Sequence, residues 1–383
     1  MSIHPSHSPV RHPVDLVQLF RDGIGQNAEA RAALVHALGK TPPRESAEAY
    51  AVFYDEVSSS PLTSNSQCSQ ILSLADAIRE FVPDGGEYLL RSFCYRACQD
   101  GFQLQLREGL CQLAVLLEGL DHLQPGMLHE ITGEALNIPP GESHAQRLVT
   151  FELLLMQGLG YLGEVEPHLA CAIVERIEGE LPQWRQHEVL LVDPMPHEQA
   201  DFELLIDLFH LKADALSQSE RPEAAAECLE EVIAKLRVIT VYPVTESWVE
   251  AAHVQLLTQL AEVYLEWAAR IAETGQDPYA NDPQLERGKA VVITALDKIS
   301  KYDPGWLPAT LRAELRIIES ELLLELLEDE EAELALRSAA EIIHVLPERG
   351  KELEYLRERL EEGWETLEQI RGAKGDGETE EGS

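Results

Sequence analysis

Basic residues are scarce in this chain: 30 Lys and Arg stand against 68 Asp and Glu, for a formal net charge of −38. Such a surface repels phosphate backbones and anionic lipid, so binding to nucleic acid or to a membrane is not expected, and a partner of basic character is. The acidic surplus fits adaptation to a salty cytoplasm equally well. Long apolar runs are also missing. No stretch approaches the roughly 18 uncharged residues that a membrane helix requires, and the opening MSIHPSHSPVRHPVD lacks the apolar core of a signal peptide. The 6 cysteines (Cys68, Cys94, Cys98, Cys111, Cys171 and Cys228) do not form the dense framework of a small secreted domain. A reducing cytoplasm is the expected compartment.

The residue sets that carry common chemistry are incomplete. Cys94 and Cys98 lie one helical turn apart with Cys111 beyond, but no fourth ligand follows at a zinc or cluster spacing. His129-Glu130 with Glu134, and His197-Glu198 with Asp201, lack the second His of a helical metalloprotease motif. His4, His7 and His12 sit in a Pro- and Ser-rich start without a carboxylate or thiol partner. There is no nucleophile elbow and no phosphate loop ending in Gly-Lys-Ser or Gly-Lys-Thr. Hence no catalytic residue, metal or cofactor is expected. One competing reading survives: Gly158-Leu159-Gly160-Tyr161-Leu162-Gly163 is a literal G-x-G-x-x-G, with Asp193 placed to bind a ribose after Val189–Val192. A nucleotide- or S-adenosylmethionine-binding Rossmann-like enzyme would need a strand before Gly158. Leu148, Phe151, Leu155, Leu159 and Leu162 instead keep a helical phase through the glycines.

Helical periodicity is abundant, and one stretch orders the rest. Gly158 is followed by Tyr161, Ala170, Val174, Ile177 and Pro182, with Phe151 and Leu154 upstream. Two antiparallel helices sharing a seam need such a series: a notch, an aromatic beside it, a small residue on the return helix and a proline to stop it. Ala213, Leu216, Ala225, Leu229 and Val232 restate the spacing, and Leu323, Leu326, Ala335, Ala339, Ile342 and Pro347 restate it again. Ala261 and Tyr264 open a further pair whose return helix resumes, after an insertion, with Val292, Leu296, Ile299 and Pro304. From Glu348 to Arg371, Leu353, Leu356, Leu360, Trp364, Leu367 and Ile370 form one stripe, as a terminal cap requires.

Over roughly 151–347 the chain resembles the tetratricopeptide repeats. That resemblance implies an all-α fold, a right-handed α-α superhelix, whose first helices line a concave groove that holds a peptide or a partner helix. The expected plan is a disordered tail over 1–13, a divergent helical region over 14–142, repeats over 143–347, a capping helix over 348–371 and a disordered acidic tail over 372–383. The helical phase places Asp207, His210, Asp214, Gln255, Glu262 and Glu266 in the middle of the groove, flanked by Leu155, Leu159 and Leu162 and by Leu324 and Leu327. The Lys and Asn clamp with which some family members grip a carboxylate is absent: Leu155 and Leu159, His210 and Asp214, and Thr258 and Glu262 stand at those places. The expected function is a non-enzymatic scaffold or adaptor that binds a basic, amphipathic segment of a protein partner.

Overall fold

The computed structural model describes residues 13–25, 33–34, 36–38, 40–59, 61–79, 83–118, 125–180, 196–239, 247–273, 282–300, 308–346 and 351–380. Residues 1–12, 181–195 (with Pro182 and Asp193), Pro304, Pro347 and 381–383 lie outside them. Every regular element among the described residues is a helix, and none of them forms a strand.

The chain divides into two units, Met1–Glu164 and Val165–Ser383. The first unit holds α1 (Pro13–Gly25), α2 (Pro43–Ser59), α3 (Asn65–Arg79), α4 (Pro83–Asp100), α5 (Gln103–Glu118), α6 (Pro125–Asn137) and α7 (His144–Gly163). In the second are α8 (Pro167–Glu180), α9 (Pro196–Gln218), α10 (Pro222–Ile239), α11 (Ser247–Glu273), α12 (Asp282–Ser300), α13 (Ala309–Glu325), α14 (Asp329–His344) and α15 (Lys351–Glu380). The last helix continues past Arg371, where the apolar stripe ends. Prolines open α1, α2, α4, α6, α8, α9 and α10. At that position the missing N–H has no intrahelical partner to lose, so a chain with 21 prolines remains helical. Ser143 caps α7, its hydroxyl accepting from the Gln146 amide at 3.3 Å.

Gly158 lies inside α7 and is buried. Residues Phe151–Met156, where a nucleotide site would need a strand, belong to the same helix, so the glycines present no phosphate-cradling bend. Ala290–Thr294, another segment with strand-like composition, lies within α12.

Three of the turns share one geometry. Val165, Glu220 and Leu327 adopt the left-handed backbone conformation, with φ of 60°, 61° and 60°, each two residues beyond a helix end and two before the next helix begins. In two of them the amide three residues past the helix end closes a six-residue loop: Arg221 to the Leu216 carbonyl at 2.9 Å, and Glu328 to the Leu323 carbonyl at 2.8 Å. Within the second unit this turn fixes the register of α10 on α9 and of α14 on α13. Counting from it, Gly158, Ala213 and Ser320 are equivalent, and so are Ala170, Ala225 and Ala332.

The register of the last pair therefore begins three residues before the one read from Leu323 and Ala335. Ser320 is fully buried, its hydroxyl turned back to the Ile317 carbonyl at 2.7 Å. The pair α11 and α12 shifts too: the side of α12 that enters the core is Leu285, Gly288, Val292 and Ala295, while Leu296 and Ile299 are only half-buried. Gly288 is the small residue at which α12 meets Tyr264 of α11 and Leu322 of α13.

Each helix of the second unit packs on its neighbour in sequence. Next-but-one packing is confined to one set: α9 on α11, α11 on α13 and α13 on α15. Among the described residues no comparable packing joins α10 to α12 or α12 to α14. The odd-numbered helices thus form a continuous row, and gaps open between the even-numbered ones.

Candidate functional site

The row of odd-numbered helices carries the acidic residues singled out by helical phase. On α9, His210, Asp214 and Ser217 succeed one another at helical spacing; on α11, Gln255, Gln259, Glu262, Glu266 and Arg270 do the same. Where the two faces meet, Gln259 joins them. Its amide nitrogen donates to Asp214 Oδ1 at 2.6 Å and to the His210 carbonyl at 3.1 Å, so its oxygen is left to accept from His210 Nδ1, 2.6 Å away. The Ser217 hydroxyl donates to Glu266, and Arg270 holds both Glu266 at 3.0 Å and the Ser217 carbonyl at 3.1 Å.

The row continues onto α13 and α15. Arg359, only 12% exposed, donates to Glu262 at 2.8 Å and to both oxygens of Glu321, at 3.0 and 2.6 Å. Its guanidinium also lies 5.3 Å from the centre of the Tyr355 ring. A cation from the last helix is thus lodged among carboxylates of α11 and α13.

Of the residues expected in a groove, His210, Asp214, Glu262 and Glu266 come together in this row. Asp207 and Gln255, on the same two helices, are exposed. Of the apolar flanks, Leu155, Leu162 and Leu324 are buried, Leu159 is half-buried, and Leu327 is an exposed residue of the α13–α14 turn. Thr258 is core, bonded within its own helix to the Val254 carbonyl at 2.9 Å. Sequence reasoning missed Gln259, although it lies four residues after Gln255 and three before Glu262 on the same face. It also missed Arg359, for which the only signal is a cation on the non-apolar side of the last helix.

Burial raises the Asp214 carboxyl to about 6, with Glu262 and Glu266 adding to the shift and the Gln259 bond opposing it. Burial also lowers His210, against the Gln259 bond. Glu321 is raised by burial in spite of Arg359. For Arg359 burial acts downward, but the bonds to Glu321 and Glu262 outweigh it and hold the guanidinium above its ordinary value.

The Asp214 shift sets a pH dependence. A carboxyl that keeps its proton up to about pH 6 in the fold, but only to about pH 4 when unfolded, makes stability fall as pH rises through that window. Asp214→Asn retains an acceptor for Gln259 and removes the buried charge. It should raise stability by about 1–2 kcal/mol at pH 7.5, a few degrees in Tm, and leave it unchanged at pH 4. Thermal unfolding at the two pH values checks this.

Among the described residues of the first unit no comparable row occurs. Arg107, 1% exposed, ties α5 to α7 by donating to the Gln146 carbonyl at 3.3 Å and to Thr150 Oγ1 at 2.9 Å. Burial pushes the Cys94 thiol up to about 12 and the Cys111 thiol well above its ordinary range. Cys111 donates to Glu152 at 3.3 Å, while Cys98 is exposed. All six cysteines are free thiols, and no cluster of metal-capable side chains occurs among the described residues. No helix among them is long and apolar enough to cross a membrane.

Fold and site together define an all-helical protein of sequentially packed helices, with a carboxylate row along one set of them. No protein-family model matches this chain, and no curated protein matches its sequence.

Proposed function

We propose that the second unit is a tetratricopeptide-like scaffold: helix pairs stacked into a right-handed superhelix, whose odd-numbered helices form the inner surface and bind a basic segment of a partner protein there. The common turn and the restriction of next-but-one packing to odd-numbered helices support the architecture. The observation that carries the function is Arg359. A guanidinium seated on Glu262 and Glu321 supports a row that takes basic side chains, and one step along Asp214, with one oxygen bonded to Gln259, extends the same carboxylate lining. A scaffold needs no catalytic group, and it acts in the cytoplasm by holding its partner.

A random peptide library displayed against the full chain tests the reading, with Asp214→Lys as counter-selection. Peptides rich in Arg or Lys should be enriched on the natural chain and bind the variant at least about tenfold more weakly, since a repulsive charge replaces an attractive one at a desolvated position. Enrichment without basic residues, or equal binding to both chains by titration calorimetry, would refute it. Thermal unfolding of the variant confirms that it folds.

A further inference from the structure

One helix of the row, α13, also borders a second feature. Because α12 and α14 do not pack on each other, a cavity of about 460 Å³ opens between them over α13. Leu323 and Ala335, both buried in the core below, form its floor, while Ile293 of α12 and Leu334 of α14 stand at its edges, 55% and 67% exposed. The common turn makes Glu227 of α10 the equivalent of Leu334, and the small residues Ala225 and Gly288 make Glu230 the equivalent of Ile293. Both glutamates are exposed, Glu230 also accepting from the Tyr264 hydroxyl at 2.5 Å. In α8 the same two places hold Ala172 and Glu175. Large aliphatic groups therefore face solvent here where the neighbouring helices carry small or charged ones, which is unfavourable unless something covers them.

We propose that this trough is a docking site for an amphipathic helix of a partner protein, one that sets branched aliphatic residues a turn apart against Ile293 and Leu334 and a Lys or Arg against Glu331. The charges select the sign of the partner. Lys289 is bonded to Glu328 and Arg316 to Glu319, so both cations at the site are engaged, whereas exposed Glu331 has no cation partner among the described residues. The shape selects a helix. Two helices standing on a third leave side-chain ridges at i, i+3 and i+4, which another helix fills, and the described residues offer no sheet edge for an extended strand to join. This site is independent of the carboxylate row.

The test uses the full chain and a displayed library of 15-residue peptides, roughly four helical turns, built on an Ala-rich helical template with one randomised face. Counter-selection is against the double variant Ile293→Glu, Leu334→Glu, which installs the residues found in α10. Peptides with aliphatic residues at i and i+3 or i+4 and a basic residue beside them should bind the natural chain and lose at least about tenfold in affinity on the double variant. Glu331→Lys should weaken them about fivefold without touching the apolar contacts, and Asp214→Lys should leave them unchanged. The proposal fails if no selected peptide depends on positions 293 and 334, or if the dependent ones prefer acidic residues. It fails equally if sedimentation shows that the natural chain self-associates through this face and the double variant does not, since the occupant is then a second copy. Because both substituted positions are exposed, unfolding temperatures within a few degrees of the natural chain confirm that a lost interaction is not lost folding.

Discussion

Arg359→Met should destabilise the second unit by about 2–3 kcal/mol at pH 8. Methionine preserves much of the aliphatic stem but removes a guanidinium that serves two helices at once, and the loss falls mainly on Glu321, which keeps its position against α15 without a counter-charge. Glu262 is more than a third exposed, so water screens it and its share is small. The effect depends on pH in a defined direction. Glu321 already holds its proton more tightly than a free carboxyl, by burial, and Arg359 is the group opposing that shift. Without it the folded-state value climbs further, the fold then binds a proton more strongly than the unfolded chain does, and stability recovers as pH falls towards 5. Glu321→Gln in the same chain should restore most of the loss at pH 8 by removing the unpaired charge. Chemical denaturation of both variants at pH 8 and pH 5 provides the measurement; a pH-independent loss, or no rescue by Gln, would show that the bridge acts only through packing.

Much of this arrangement was legible in the residues, and the parts that were not have physical reasons. Helices over the second unit follow from periodic Leu, Ile and Ala, because a 3.6-residue stripe has one way to be buried. The face carrying Asp214, Glu262 and Glu266 follows from the same phase. Register in the last pair did not. The run Leu322–Leu323–Leu324 followed by Leu326 and Leu327 offers several equally apolar phases, and the turn that chooses among them puts Leu327, not glycine, in the left-handed conformation. No turn residue marked it. Ser320 was likewise invisible as a notch, since a serine reads as polar until its hydroxyl is seen bonded within the helix. Arg359 could not be placed at all: it joins Glu262 across 97 residues, and single-chain periodicity relates only residues on the same helix. The anchor spacing from Phe151 to Pro182 spans the division at Glu164, so its two helices belong to different units: α7 packs on α6 and α5, and α8 on α9.

Gly288 provides the sharpest test of the corrected register. A Cβ at this position would lie 2.9 Å from Leu322 Cδ2 and 3.3 Å from Tyr264 Cβ, two residues that are themselves buried. The equivalent positions hold Ala170, Ala225 and Ala332, each fully buried, so the site tolerates a single methyl elsewhere in the stack. Gly288→Ala should therefore change stability by less than about 1 kcal/mol: the helix gains from losing a glycine, and the nearer obstacle is the end of a leucine that can turn. Gly288→Val is different, because its two further methyls must enter a seam already filled by Tyr264 and Leu322, and the β-branch leaves them no other rotamer within a helix. Its cost should be about 2–4 kcal/mol. Had Val292, Leu296 and Ile299 been the buried face, Gly288 would lie at the edge of the seam and both substitutions would be mild. Equilibrium unfolding of the two variants side by side separates the alternatives, and a Val variant as stable as the Ala one would return the register to the one the periodicity suggested.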